Sequence, residues 1–204
     1  MISELRAAGF TLIEFMIVIV VIGFLAVLIL PAVEPARTSA RVVKAGAFQA
    51  TLANAVEAYH IDMGFYPPDV NRGWDPGLVR SMPWSPDAEA GDPPTGGYSS
   101  AGTNCNHCPS NWQSIVQARW QGPYLQIWPR FTPWQGKYDY NYWDTTKQRG
   151  SCSVTPGIYV GVQGDYDNNN TIPQNAEENM ISKSFDAEQC LNGESQMLLW
   201  RLNN

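Results

Sequence analysis

Three sets of residues in this 204-residue chain have the types and spacing to do chemistry. The first is a lone carboxylate, Glu14, inside the apolar run Phe10–Leu30, FTLIEFMIVIVVIGFLAVLIL. A charged acid at the centre of a lipid-embedded helix costs about 2.5–3.5 kcal/mol even on forgiving insertion scales, so Glu14, near one end, either pairs with a cation or, as the plain alternative, snorkels to the interface without a partner. The second is GDYDNNNTIP, Gly164–Pro173, where Asp165, Asp167 and Asn169 stand at alternate positions and Thr171 continues the alternation. Oxygen donors at the first, third and fifth places are the opening half of a calcium loop. Asn170 stands where such a loop turns on glycine, and asparagine tolerates the left-handed conformation. The twelfth place, where a bidentate acid belongs, holds Ala176, so Glu177, Glu178 or Asp186 would have to close the cage. A solvated Asp/Asn turn is the plain alternative. The third set is Cys105, Cys108, Cys152 and Cys190.

An even number of cysteines beyond a membrane-type segment argues for disulfides in an oxidising compartment. Three connectivities are possible. Cys105–Cys108 with Cys152–Cys190 is preferred, because it closes one local loop and staples the C-terminal region. A redox role for C-N-H-C lacks a preceding strand and a following helix to lower a thiol pKa, and zinc lacks a second CxxC pair. His60 and His107 are isolated in the sequence and carry no assigned role. Tryptophans at 112, 120, 128, 134 and 143, with tyrosines between them, read as core and subunit packing rather than a sugar platform. No nucleophile elbow, phosphate loop or pair of catalytic carboxylates is written in the chain, so a catalytic function has no support.

The elements that must position these groups follow from periodicity. Phe10–Leu30 is long enough to cross a ~30 Å hydrocarbon core as a helix. Gly23 and Pro31 interrupt it; they cost about 1 and 3 kcal/mol in a helix interior, and so mark a weak point. Val42, Ala45, Phe48, Leu52, Ala55, Val56 and Tyr59 then recur at three- and four-residue steps, with Arg37, Arg41, Lys44, Gln49, Asn54 and Glu57 on the other face: an amphipathic helix. Gly64, Pro67 and Pro68 stop it. From Pro67 to Ser110 the composition is that of irregular connection. Asn111–Trp120 reads as a short helix. Tyr124–Trp128, the alternating Tyr138–Tyr142, Ile158–Val162 and Gln196–Leu202 read as strands. The fold class is therefore α+β, a long N-terminal helix packed against a small antiparallel sheet. Its parts are a leader at 1–9, a membrane segment at 10–33, which the family resemblance below also makes the polymerisation helix, an amphipathic spine at 34–63 and a disulfide-bearing head at 64–204. After Met63 there are 14 acidic against 9 basic residues, a net −5, which argues against general nucleic-acid binding.

The N-terminal residues resemble a family. G-F-T-L-I-E at Gly9–Glu14, followed by an apolar stretch with Gly23 and Pro31, is similar to the class III signal of type IV pilins. The resemblance implies the pilin fold. It also implies cleavage between Gly9 and Phe10 by prepilin peptidase, N-methylation of Phe10, and assembly of the helices into a homo-oligomeric filament on an inner-membrane platform. In that setting Glu14 is expected to pair with the Phe10 amine of a neighbour. AYHIDMGFYP at Ala58–Pro67 and GPYLQIWPRFTPWQGKYDYNYW at Gly122–Trp143 resemble stretches of the major pseudopilin of type II secretion. Thr132 replaces the usual acid there, and Gln135 is inserted before Gly136. That resemblance implies a periplasmic pseudopilus working with minor pseudopilins, and a structural calcium in the C-terminal loop, drawn here from Asp165, Asp167, Asn169, Thr171, Glu177 and Asp186. It also implies a single-pass inner-membrane protein, its head in the periplasm or, after assembly, on the cell surface. The alternatives are a major or minor type IV pilus subunit serving motility, adhesion or DNA uptake, and a membrane-anchored binding module.

Overall fold

The computed structural model describes residues 11–81, 105–165 and 167–202, with the backbone alone at 28–32. The chain divides into two compact units, Met1–Ala40 and Arg41–Asn204. One helix, α1, runs Leu12–Met63 without a break, through both Gly23 and Pro31. Gly64 ends it at φ +79°, the left-handed conformation a side chain would resist, and donates its N–H to His60 O at 2.8 Å.

In the second unit the expected stripe of α1 is the core face. Val42, Ala45, Leu52, Val56 and Tyr59 are wholly buried, and the Phe48 ring meets Tyr138 at 4.6 Å. Burying a side chain of this size stabilises a fold by about 1.5–3 kcal/mol. One expected polar residue breaks the pattern. Gln49 lies in the stripe, between Ala45 and Leu52, and is fully buried. Its Nε2 reaches Val160 O at 3.2 Å and Ser195 O at 3.4 Å, so an amide spans from the helix to the sheet.

The sheet is antiparallel in the order β1 (Lys137–Trp143), β4 (Gly157–Gln163), β5 (Ser195–Arg201). Tyr138 pairs with Val162 and Tyr140 with Val160, which puts aromatic and β-branched residues on the face toward the core. The alternate residues Lys137, Asp139 and Asn141 are buried too, so this sheet has a covered polar face. Two short strands, β2 (Lys147–Arg149) and β3 (Cys152–Val154), form a separate hairpin that turns on Gly150 at φ +61°.

Helix α2 covers Trp112–Arg119, within the expected 111–120, and buries Trp112 and Val116. Helix α3, Gln174–Ser182, is an element that the periodicity does not mark, and it buries Ala176, Glu177 and Met180. The expected strand Tyr124–Trp128 does not form. Pro123 and Pro129 bracket it, and the N–H groups of Tyr124 and Leu125 both turn to Leu78 O, at 2.8 and 3.1 Å, rather than to a ladder. The tyrosine of that segment instead ties it to α1, donating to Asp62 Oδ2 at 2.7 Å.

Candidate functional site

The N-terminal start of α1 is organised around Glu14. Its Oε2 accepts from the Thr11 backbone N–H at 2.9 Å and from the Thr11 hydroxyl at 2.8 Å, while the Glu14 N–H points back to Thr11 Oγ1 at 3.3 Å. This is a capping box, satisfying orphan donors at a helix start. Its signature, Thr-x-x-Glu, is legible in T-L-I-E, and Thr11 was not among the expected site residues. From Leu12 to Val27 every described side chain is exposed: Leu12 at 77%, and Val18, among the most covered, still at 46%. A β-carbon built on Gly23 meets nothing within 4 Å, so no packing in the chain itself requires glycine there. The helix carries an acid near its head and an unpartnered apolar surface all round. Gly9 and Phe10 lie outside the described residues, as does the side chain of Pro31. Among the described residues no helix is long and apolar enough to cross a membrane; the expected span, Phe10–Leu30, has described side chains only from Thr11 to Val27.

The cysteines are joined as Cys105–Cys108 and Cys152–Cys190. The second bond ties β3 to the segment before β5. At the first, His107 is far from isolated. Its Nε2 lies 3.0 Å from Pro67 O, 3.2 Å from Tyr66 O and 3.2 Å from Cys105 Sγ, and its ring stacks on Tyr142 at 3.5 Å. Burial holds the imidazole below its ordinary pKa. Cys105, His107 and Cys108 have ligating atoms within 4.8 Å of one another. In the disulfide neither sulfur is the thiolate that binds metal. His107 also lines a cavity of about 430 Å³ with Asp69, Tyr142, Asp144 and Lys147. Asp69 accepts the Tyr142 N–H at 3.2 Å, and burial pushes it up to about 6.

The acids expected to hold calcium are spread over several arrangements. Asp165 closes on its own turn, accepting Asn169 N–H at 2.8 Å and the Asn170 side-chain amide. Asp167 and Asn169 are exposed, and Thr171 is half-buried. Glu177, carried on α3, spends both oxygens on the Asn192 and Gly193 N–H groups at 2.8–3.0 Å. Asp186 takes Gln196 N–H at 3.2 Å, and burial raises it to about 6. Among the described residues, Cys105, His107 and Cys108 are the only three His, Cys, Asp or Glu side chains brought within ligating distance of each other. Asp165, Glu177 and Asp186 are thus not gathered within ligating distance of one another. Helix α3 begins at Gln174 and buries Ala176, the twelfth place of the pattern.

What sits against the 164–168 turn is arginine. Arg72 Nη1 donates to Asn168 Oδ1 at 2.9 Å and Asp165 O at 3.2 Å, and lies 3.7 Å from Glu194 Oε1. Glu194 is held from its other side by Arg149, at 2.7–3.0 Å, which also donates to Gln163 Oε1. These charges lie over the polar face of the sheet, where burial raises Asp139 well above the ordinary carboxylate range.

Comparison with known proteins adds one finding to this geometry. Residues 5–30 match the prokaryotic N-terminal methylation motif, the type IV pilin-like signal. No curated protein and no solved structure matches the chain. The motif supports a type IV pilin-like subunit, and the long helix followed by a small antiparallel sheet is consistent with the pilin fold. It points to a structural protein, and it implies processing by a prepilin peptidase and assembly into pilus-like filaments. It also suggests membrane anchoring through the N-terminal helix.

Proposed function

We propose that this chain is a pseudopilin of a type II secretion system, cut between Gly9 and Phe10, N-methylated on Phe10 and polymerised through α1. The observation that carries this reading is the coincidence of the methylation motif, residues 5–30, with a helix whose described apolar side chains from Leu12 to Val27 have no cover within the chain. Such a surface is stable only against lipid or against copies of itself. The subunit waits in the inner membrane with its head outside the cytoplasm and moves into the filament, where neighbouring helices replace the lipid.

Glu14 sets the register of that step. Cleavage at Gly9 frees a cationic amine on Phe10, and the carboxylate of one subunit pairs with the amine of the next. An unpaired charge in the apolar bundle is costly, and a paired one much less so, so the correct axial stagger is favoured over its neighbours. The Thr11 contacts hold the carboxylate at the helix head until the partner arrives. Pseudopilin rather than surface pilin is argued from Ala58–Pro67 and Gly122–Trp143, whose tyrosines and Asp62 tie the end of α1 to the head.

Mass spectrometry of the purified subunit tests the processing: the expected N-terminus is N-methyl-Phe10, and retention of residues 1–9 in a working filament would overturn the reading. Glu14→Ala is expected to lower filament yield by roughly 100-fold, from the cost of a missing partner for the amine. Deletion of the gene separates the machines. Exoproteins retained in the periplasm support secretion, and loss of surface filaments with secretion intact points to a pilus.

A further inference from the structure

The turn that reads as a calcium loop contains a cationic atom of its own. Arg72 Nη1 lies among four oxygens: Asn168 Oδ1 at 2.9 Å, Asp165 O at 3.2 Å, Gly164 O at 3.5 Å and Glu194 Oε1 at 3.7 Å. Three come from one tight turn and the fourth from the residue that leads into β5. Two backbone carbonyls, one amide oxygen and one carboxylate are a donor set that a hard divalent cation would accept. Here a guanidinium nitrogen faces all four. Asn168 adopts φ +54°, the left-handed conformation, while its side-chain oxygen meets the arginine. Of the other acids here, Asp165 is engaged by Asn169 and Asn170 and Glu177 by Asn192 and Gly193, while Asp167 is exposed.

We infer that Arg72 is the built-in cation of this turn, a guanidinium gathered by the Gly164 and Asp165 carbonyls, Asn168 Oδ1 and Glu194. A guanidinium is charged at every accessible pH and cannot dissociate into the medium. The turn and the entry to β5 are therefore locked by the chain itself, and the head does not depend on external calcium. Glu194 is the shared anion, with Arg72 on one side and Arg149 on the other. The lock also joins distant parts of the chain, since Arg72 follows the end of α1 and the oxygens it gathers come from the C-terminal third. Removal of the guanidinium converts the cage into a site for a divalent ion, because the three oxygens of the turn lose their cation together while Glu194 stays in place on Arg149.

The full chain in detergent, heat-unfolded in calcium and in EGTA, provides the test, and it does so without reference to secretion or filaments. The native chain is expected to melt at one temperature in both media. Arg72→Met is expected to melt about 5–10 °C lower in EGTA, as for a broken buried ion pair, and to regain part of that loss in calcium. Arg72→Lys is expected to fall between the two. A native chain stabilised by calcium, or an Arg72→Met chain indifferent to it, would overturn the inference. Should Arg72→Met fail to fold, terbium luminescence of the native chain decides: saturable binding at the head is the contrary result, and its absence the expected one.

Discussion

The two ends of α1 solve opposite problems. In the head, the helix buries Val42, Leu52, Val56 and Tyr59, and the polar atom it takes inside, Gln49 Nε2, finds carbonyls of the same chain. Near the N-terminus the described apolar side chains from Leu12 to Val27 all stay exposed, and among the described residues Glu14 is held by Thr11. One region packs a core within the chain, and the described side chains of the other do not. The difference shows which residues are selected for stability and which for company. Disulfides, buried amides and arginine–carboxylate contacts gather where the chain must stand alone. Under the proposed function, the apolar surface from Leu12 to Val27 is the part that meets lipid or copies.

If the contrast holds, substitutions in the head change its melting and leave the N-terminal segment untouched. The largest effect is expected from Cys190→Ala, which opens a bond between residues 38 apart. Calorimetry should show a loss of about 4 kcal/mol by the loop-entropy estimate, against less than half of that for Cys108→Ala, whose loop spans only three residues. Gln49→Leu comes next, at roughly 2 kcal/mol in chemical denaturation, because it removes the amide that answers Val160 O and Ser195 O.

Asp69 gives a pH signature. Burial raises it from 3.8 to about 6, so the folded head binds this proton more tightly than the unfolded chain does. Its contribution is therefore fully present below pH 3.8 and is lost as pH rises through about 6. Asp69→Asn should flatten the stability profile across that window by roughly 1–2 kcal/mol, allowing for its partial exposure. A slope unchanged by the substitution would show that other carboxylates set it. The smallest effect belongs to the other region. Thr11→Val should cost the helix start about 1 kcal/mol, visible as faster amide exchange at residues 12–15, with the head's melting unmoved. A shift in the head would erase the contrast.

Much of this was legible in residue spacing. The stripe Val42–Tyr59 appears as the core face of α1, and three of the expected strands form: β1 where tyrosines alternate, β4 where β-branched residues cluster, and β5 over the apolar run Met197–Trp200. The stop at Gly64 was legible for the same local reason, a left-handed residue after the last turn. What spacing concealed was long-range. Gln49 was assigned to solvent from its type, although its position between Ala45 and Leu52 put it in the stripe. The carbonyls that make its burial possible lie more than a hundred residues away. Arg72 drew no attention because its partners, Gly164, Asp165, Asn168 and Glu194, are equally remote. The intervals of Asp165, Asp167 and Asn169 say nothing of the helix that follows Pro173. That helix takes the later positions of the pattern into the core.

The buried amide of Gln49 has a mechanical consequence. A helix held to a sheet by smooth apolar contact can slide by a turn or rotate at little cost, because one ridge of methyl groups resembles the next. An amide directed at the Val160 and Ser195 carbonyls accepts one height and one azimuth. A pull or a twist arriving along the rod must then load two neighbouring strands at once, and it reaches the head as displacement rather than as slip.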